Sequence, residues 1–385
     1  MPLFENNQHG LGIHALIVGV SDYVHLPGQD DPVPGGTMFG MKKLRTAALS
    51  AFNVLQWMKT ADADGRLARP LASYDIILVP SANEATVPGL TDFKDDGTAA
   101  NFRNRVWAWR SRVAQNKDNM ALFYFAGHGM QRSKEDSVLL LSDFAAKQMP
   151  ALANGFGFYD IFNGMAPSNE FPQMGITQVY FVDACRNVPA ASKDFDPLKA
   201  GTMFDSYLSG RDEREAPVFF AAVNDSVAYG VDGKGSYFSL ALIAALNSGA
   251  ENPVYKNGAL VWPVSAYTLA TAVELQFKKL KTNQRMVPGG QMRDPVICYL
   301  PAPPHVDVSI SVQPDDRRVA ATIQVEGLDP PTLWQQPTPA PEHPYQVTLN
   351  AGVHTLSVEI DGGRSLSFGS RMLNQKSHTW EVRLP

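Results

Sequence analysis

Cysteine is nearly missing: the 385-residue chain has two, Cys185 and Cys298. That excludes a disulfide framework and a four-cysteine zinc site, and it fits a reducing, cytoplasmic compartment. An excess of positive charge is missing too. Thirty-three Lys and Arg stand against 38 Asp and Glu, for a net charge of −5. This argues against nucleic acid as a direct partner, because phosphate binding needs clustered cations. No apolar run approaches the roughly 18 residues a membrane-spanning helix needs; the run APVFFAAV at 216–223 is among the longest. The opening MPLFENNQHG has no basic stretch ahead of an apolar one, so no secretory leader and no membrane partner are expected. Thirty glycines and 28 prolines make turns frequent without a collagen period, an internal repeat or a linker-like composition. With 44% apolar and 18% charged residues the chain has enough to bury and is no disordered tail.

What is present is an alternation of element types. Residues 13–20 (IHALIVGV) are almost continuously apolar, as in a parallel strand buried on both faces. A helix is expected over 41–59, where Leu44, Ala48, Phe52 and Leu55 share a face. A strand at 74–79, a helix at 99–114 and a strand at 120–126 follow. Strands at 176–183 and 216–223, helices at 237–246 and 264–280 and a closing strand in 294–300 complete the unit. Strands alternating with helices imply an α/β domain with a mostly parallel sheet flanked by helices. After PAPPH (301–305) the pattern changes to apolar/polar alternation at 306–312, 319–325, 345–349, 354–360 and 379–384, with turns at PDD and DGG. This predicts a small C-terminal antiparallel β-sandwich, hence two domains, 1–300 and 301–385. TLWQQPTPAPEHP (332–344) is read as an extended Pro-rich loop.

In an open parallel sheet, ligands meet the carboxyl ends of the strands. Those ends carry Asp22, His128, Asp183 and Cys185. A thiol and an imidazole on separate strand ends can form a nucleophile and its base. Of the histidines in this part, His9 lies at the start and His14 inside a buried run, while His25 stays as a loop rival. His128 stands between two glycines directly after a strand, where the chain can turn sharply. The Gly129 amide, with that of Cys185, is a candidate oxyanion donor. Cys298 sits in the apolar run VICYL and reads as an inert core thiol. Asp183 and Cys185 are two apart on one strand, so they point to the same side. A carboxylate there would attract a cationic substrate side chain.

These residues carry a resemblance. YFAGHG (124–129) and VYFVDACRN (179–187), whose His and Cys stand about 57 residues apart, resemble the caspase-like cysteine peptidases, metacaspases and paracaspases included. ALIVGVSDY (15–23), NDSVAYG (224–230) and GKGSYFSLALIAAL (233–246) are similar to further segments of that family, and the likeness spans about residues 10–300 in order. It implies a caspase-hemoglobinase fold and peptide-bond hydrolysis by Cys185 as nucleophile and His128 as general acid/base, with Gly129 in the oxyanion hole. It also implies substrate binding by Asp183, because relatives with an acid two residues before the nucleophile cut after Arg or Lys. Arg is favoured here, since its fork matches a carboxylate.

The second acidic position of those relatives matches Ser50, so Asp22 or Asp225 is expected to supply the missing charge. Lys43 and Arg45 lie near the position of the caspases' specificity arginine, which keeps an acidic preference open. Residues 187–215 correspond to the segment caspases cut on activation and carry Lys193, Lys199, Arg211 and Arg214. An activating cleavage or partner protein follows from the resemblance. No cofactor or metal is expected, the acidic loop 92–96 lacking EF-hand spacing. The rival readings are a catalytically silent adaptor and an acyl transferase. A pairing strand around 296–300 leaves oligomeric state open.

Overall fold

The computed structural model describes residues 4–5, 11–32, 40–131, 137–147, 149–150, 152–185, 200–204, 212–222, 229–250, 252–328, 331–337, 342–360, 363–374 and 378–385. The chain divides into two compact units, Met1–Ile243 with Gln276–Pro295, and Ala244–Leu275 with Val296–Pro385. Residue 300, the expected domain boundary, falls within the second unit.

In chain order the elements are β1 (Phe4–Glu5), β2 (Ile13–Val20), α1 (Ala47–Ala63), β3 (Leu71–Val79), α2 (Ala99–Val113), β4 (Met120–Gly127), β5 (Gly129–Gln131), β6 (Ser137–Leu140), β7 (Gly155–Gly157), α3 (Phe158–Gly164), β8 (Thr177–Ala184), β9 (Ala216–Phe220), β10 (Gly230–Val231) and β11 (Gly235–Ser236). Then come α4 (Tyr237–Leu246), β12 (Val254–Lys256), β13 (Ala259–Ser265), α5 (Ala266–Lys279), β14 (Val287–Gln291) and β15 (Val296–Leu300). The remainder is β16 (His305–Gln313), α6 (Asp315–Arg318), β17 (Thr322–Leu328), β18 (Pro331–Gln335), β19 (Tyr345–Asn350), β20 (Gly352–Ile360), β21 (Arg364–Leu373) and β22 (His378–Arg383).

The first unit is built on a seven-stranded sheet in the order β1-β3-β2-β4-β8-β9-β14. Its five central strands run parallel, and β1 and β14 close the edges antiparallel. Every residue of β2, β3, β4 and β8 is buried, as expected of strands covered on both faces. Alternation along β2 sorts the helices. Leu16, Val18 and Val20 join Phe102, Val106 and Trp109 of α2 and Phe158 of α3 in one core. Gly19, on the opposite face, meets α1: a Cβ there would lie 2.6 Å from the Ala47 carbonyl oxygen and 2.7 Å from the Ala48 Cα. That approach sets the start of α1 directly over the end of β2.

The first four amides of a helix have no intrahelical acceptor. In α1 three of them find acceptors in other segments, and the Ser50 amide starts the helical ladder on the N-cap carbonyl. Ser21 Oγ accepts from Ala47 and Ala48 (2.9 and 3.0 Å), Glu84 Oε1 accepts from Leu49 (2.8 Å), and Thr46 O accepts from Ser50 (2.9 Å). Thr98 caps α2 through the Asn101 amide.

The expected strand at 296–300 exists, but it pairs with β13 in a separate three-stranded sheet within the second unit. The main sheet ends instead on β14, VPGGQ, whose proline and two glycines hide a strand signal and suit an edge. The C-terminal strands form two sheets, β19-β16-β22 and β18-β17-β20-β21, whose apolar residues share one core around Ile310, Ile323, Leu356 and Trp380. One pairing, β16 with β22, is parallel, so the sandwich is not purely antiparallel. Part of the expected Pro-rich loop is a strand, β18. Among the described residues no helix is long and apolar enough to cross a membrane.

Candidate active site

The parallel register of β4 and β8 pairs Ala126 with Asp183 and Gly127 with Ala184. One step further, His128 and Cys185 leave adjacent strands side by side. Gly129 is what lets them stay close. A Cβ on it would stand 2.5 Å from the Cys185 carbonyl oxygen and 2.8 Å from the Ala184 Cβ, so any side chain there would push the two strand ends apart.

His128 is fixed at every polar atom of its backbone and at one ring nitrogen. Its amide donates to the Tyr23 hydroxyl (2.7 Å) and its carbonyl accepts from the Leu140 amide (3.0 Å). The Tyr23 ring packs against the imidazole with centroids 4.8 Å apart. Nε2 lies 2.6 Å from the Lys42 carbonyl oxygen. A carbonyl only accepts, so Nε2 carries the proton and Nδ1 keeps the lone pair. Neighbouring bonds hold that carbonyl in place: the Lys43 amide donates to Pro27 O (2.9 Å) and the Leu44 amide to Ser21 O (2.8 Å). Burial pushes the His128 pKa down to about 4, against a smaller opposing effect of the Lys42 carbonyl. The ring is therefore neutral at pH 7.

A cleft of about 450 Å³ opens at these strand ends. Cys185, half-buried, and Asp183 both line it, as their spacing of two predicts; Gly127 lines it too, whereas His128, 9% exposed, does not. The Asp183 carboxylate is buried and accepts from the Tyr124 hydroxyl (2.8 Å) and from the Ser236 hydroxyl. Burial raises its pKa to about 6, offset in part by Ser236 and Tyr124. Ser236 is held in turn by Ser50, whose Oγ accepts the Ser236 amide at 2.7 Å. The helix position that matches the second acid of basic-directed relatives thus reaches the Asp183 network, but with a hydroxyl.

Other expected residues fare differently. Asp22 is not among the cleft-lining residues; its Oδ1 is 2.7 Å from Lys43 Nζ. Asp225 lies outside the described residues, as do Lys193, Lys199 and Arg211. Arg214 is 1% exposed, its guanidinium spent on Asp212, Phe162 O and Gln178 Oε1, so the folded chain offers no cleavable bond there. Cys298 is buried with Sγ 3.5 Å from Leu246 O. The acids that do line the cleft beside Asp183 are Asp30 and Asp232, with Arg45 between them. Sequence reasoning missed both because isolated loop aspartates carry no periodic signal. It missed Lys42 because a backbone carbonyl has no letter, and only Tyr23, inside ALIVGVSDY, was within reach. Among the described residues no cluster of three or more His, Cys, Asp or Glu could hold a metal.

The family model of the caspase domain matches residues 14–288, well over half of the chain. The chain belongs to the caspase-domain family. That family is one of caspase-like cysteine peptidases, and the chain has its fold with additional β-sheets at the C-terminus. An uncharacterised protein of Sinorhizobium fredii, y4kE, is 24% identical over 191 residues, which cover 48% of this chain and 52% of that protein. The chain thus spans about half the length of this curated relative. The crystal structure of caspase-1 from Spodoptera frugiperda is similar with a TM-score of 0.42 and 14% identity, over 75% of this chain and 93% of that one.

Proposed function

We propose that this caspase-domain protein is an endopeptidase that cleaves protein substrates after Arg, and less well after Lys, through Cys185 and His128. The observation that supports the reading is the β4–β8 register, by which His128 and Cys185 follow directly on paired residues of adjacent strands, with Cys185 and Asp183 in one cleft lining. His128 Nδ1 takes the thiol proton as Sγ attacks the scissile carbonyl carbon. The oxyanion that forms is met by the Gly129 and Cys185 amides. The imidazolium then gives its proton to the leaving amine, and water, deprotonated by the same ring, releases the thioester. Asp183 supplies the specificity: a buried carboxylate with two hydroxyl donors and, among the described residues, no ion-pair partner is a seat for a guanidinium.

The test is turnover of a fluorogenic peptide with one Arg at the cleaved position against its Asp counterpart. The Arg peptide should be cut, and Cys185→Ala and His128→Ala should each reduce that to background, since members of one catalytic unit are not additive. Full activity in either variant, or preference for the Asp peptide, refutes the corresponding part of the proposal.

A further inference from the structure

Outside the catalytic pair, the cleft holds a guanidinium of the protein's own. Arg45 Nη2 lies 2.9 and 3.0 Å from the two carboxylate oxygens of Asp30, a forked contact, and Arg45 Nη1 lies 3.3 Å from Asp232. The three side chains come from different segments: the loop after β2, the residue just ahead of the α1 cap, and the β10–β11 turn. All three line the same cleft as Cys185 and Asp183. Among the described residues that lining holds three carboxylates, Asp30, Asp183 and Asp232, and one guanidinium, a negative surplus with Arg45 in place.

We infer that Arg45 is a specificity-determining residue that fills, in the free protein, a second guanidinium subsite formed by Asp30 and Asp232. A substrate with a second basic side chain near the cleaved residue takes that subsite by displacing Arg45. The exchange is cheap. The side chains of Arg45, Asp30 and Asp232 are 33%, 93% and 66% exposed, and exposed ion pairs hold only weakly. An incoming Arg restores the same forked contact, while Arg45, one-third exposed, swings into water. Substrates with two basic residues therefore bind in preference to those with one, and Arg45 holds that preference down by competing for the same carboxylates. This rests on the basic-substrate reading above and adds a position to it.

The test measures binding, so it does not depend on turnover. In full-length Cys185→Ala protein, fluorescence anisotropy compares a labelled one-Arg peptide with a set differing only in where a second Arg stands. Adding Arg45→Ala should raise the best two-Arg to one-Arg affinity ratio roughly two- to fivefold, the scale of an exposed ion pair. Adding Asp30→Asn with Asp232→Asn should bring the ratio to about one. An unchanged ratio in both backgrounds overturns the subsite. So does a fall with Arg45→Ala, or tighter binding of an acidic peptide that Arg45→Ala abolishes, which would assign Arg45 to a substrate carboxylate. Failure of the wild-type protein to cut the one-Arg peptide would instead sink the peptidase reading and leave the affinity ratio to be read by itself.

Discussion

Asp183 and His128 are both buried, and their acidities are displaced in opposite directions. Asp183, moved from 3.8 to about 6, binds its proton more readily in the folded than in the unfolded chain. The cost of holding it charged is therefore present above pH 6 and relieved as pH falls through 6 toward 4. His128, moved from 6.5 to about 4, does the reverse: the unfolded chain takes up the proton first, and stability is lost as pH falls from 6.5 to 4. Asp183→Asn keeps an acceptor for Tyr124 and Ser236 while removing the buried charge. It should gain stability at pH 8, on the order of 2 kcal/mol, and lose stability more steeply than the parent between pH 6 and 4. Urea melts at pH 8, 6 and 4.5 check both. The same variant should raise KM for the one-Arg peptide at least tenfold, and the parent's kcat/KM for that peptide should fall as pH drops through about 6. A stability gain without the specificity loss would leave Asp183 a mere structural acid. The residue types and their spacing were legible in GHG and DAC. Their burial and the partners that temper it, Tyr124, Ser236 and the Lys42 carbonyl, were not, because nothing in their local sequence marks a contact made across 53 to 86 residues.

At the scale of elements, the start of α1 ties fold to site, since Thr46 and Ala47 line the cleft and Lys42 just before them orients His128. Ser21 serves two of the helix's amides from another segment. Ser21→Ala should cost about 1–2 kcal/mol, the range for a lost helix cap, measured by chemical denaturation. It should also lower kcat/KM. Unchanged stability would mean that water replaces the hydroxyl. Periodicity found β2, β4, β8 and α4 to within a residue, because a continuous apolar run records burial directly, but it began β3 three residues late and carried β9 past Phe220. It began α1 six residues early, since Met41 and Leu44 continue the stripe, whereas 41–46 lies outside the helix with the Lys43 and Leu44 amides bonded to Pro27 and Ser21. It passed over β14, β18 and β21. The first is rich in Gly and Pro, and the other two have exposed residues where alternation should leave buried ones. Such strands exist because a neighbour pairs with them, and that neighbour is remote in sequence.

For the whole molecule, a net charge of −5 and an acidic cleft should draw basic peptides from a distance. The screening length falls from roughly 30 Å at 0.01 M salt to roughly 10 Å at 0.1 M. Hence kcat/KM for the one-Arg peptide should decline two- to fivefold across that range, while a citrulline analogue shows no slope; equal slopes would place the attraction elsewhere. The sequence by itself determined the alternating α/β pattern and the change to β-structure after residue 300, and it singled out Cys185, His128 and Asp183 as the candidate site, because each is written in local periodicity or in a short motif. Only the tertiary structure decided which strand closes the main sheet, that Asp22 pairs with Lys43 instead of lining the cleft, and that Asp30 and Asp232 line it with Arg45 between them. Those outcomes depend on where distant segments come together when the sheet assembles, and a loop carboxylate reads the same whether it meets water, a lysine or a substrate.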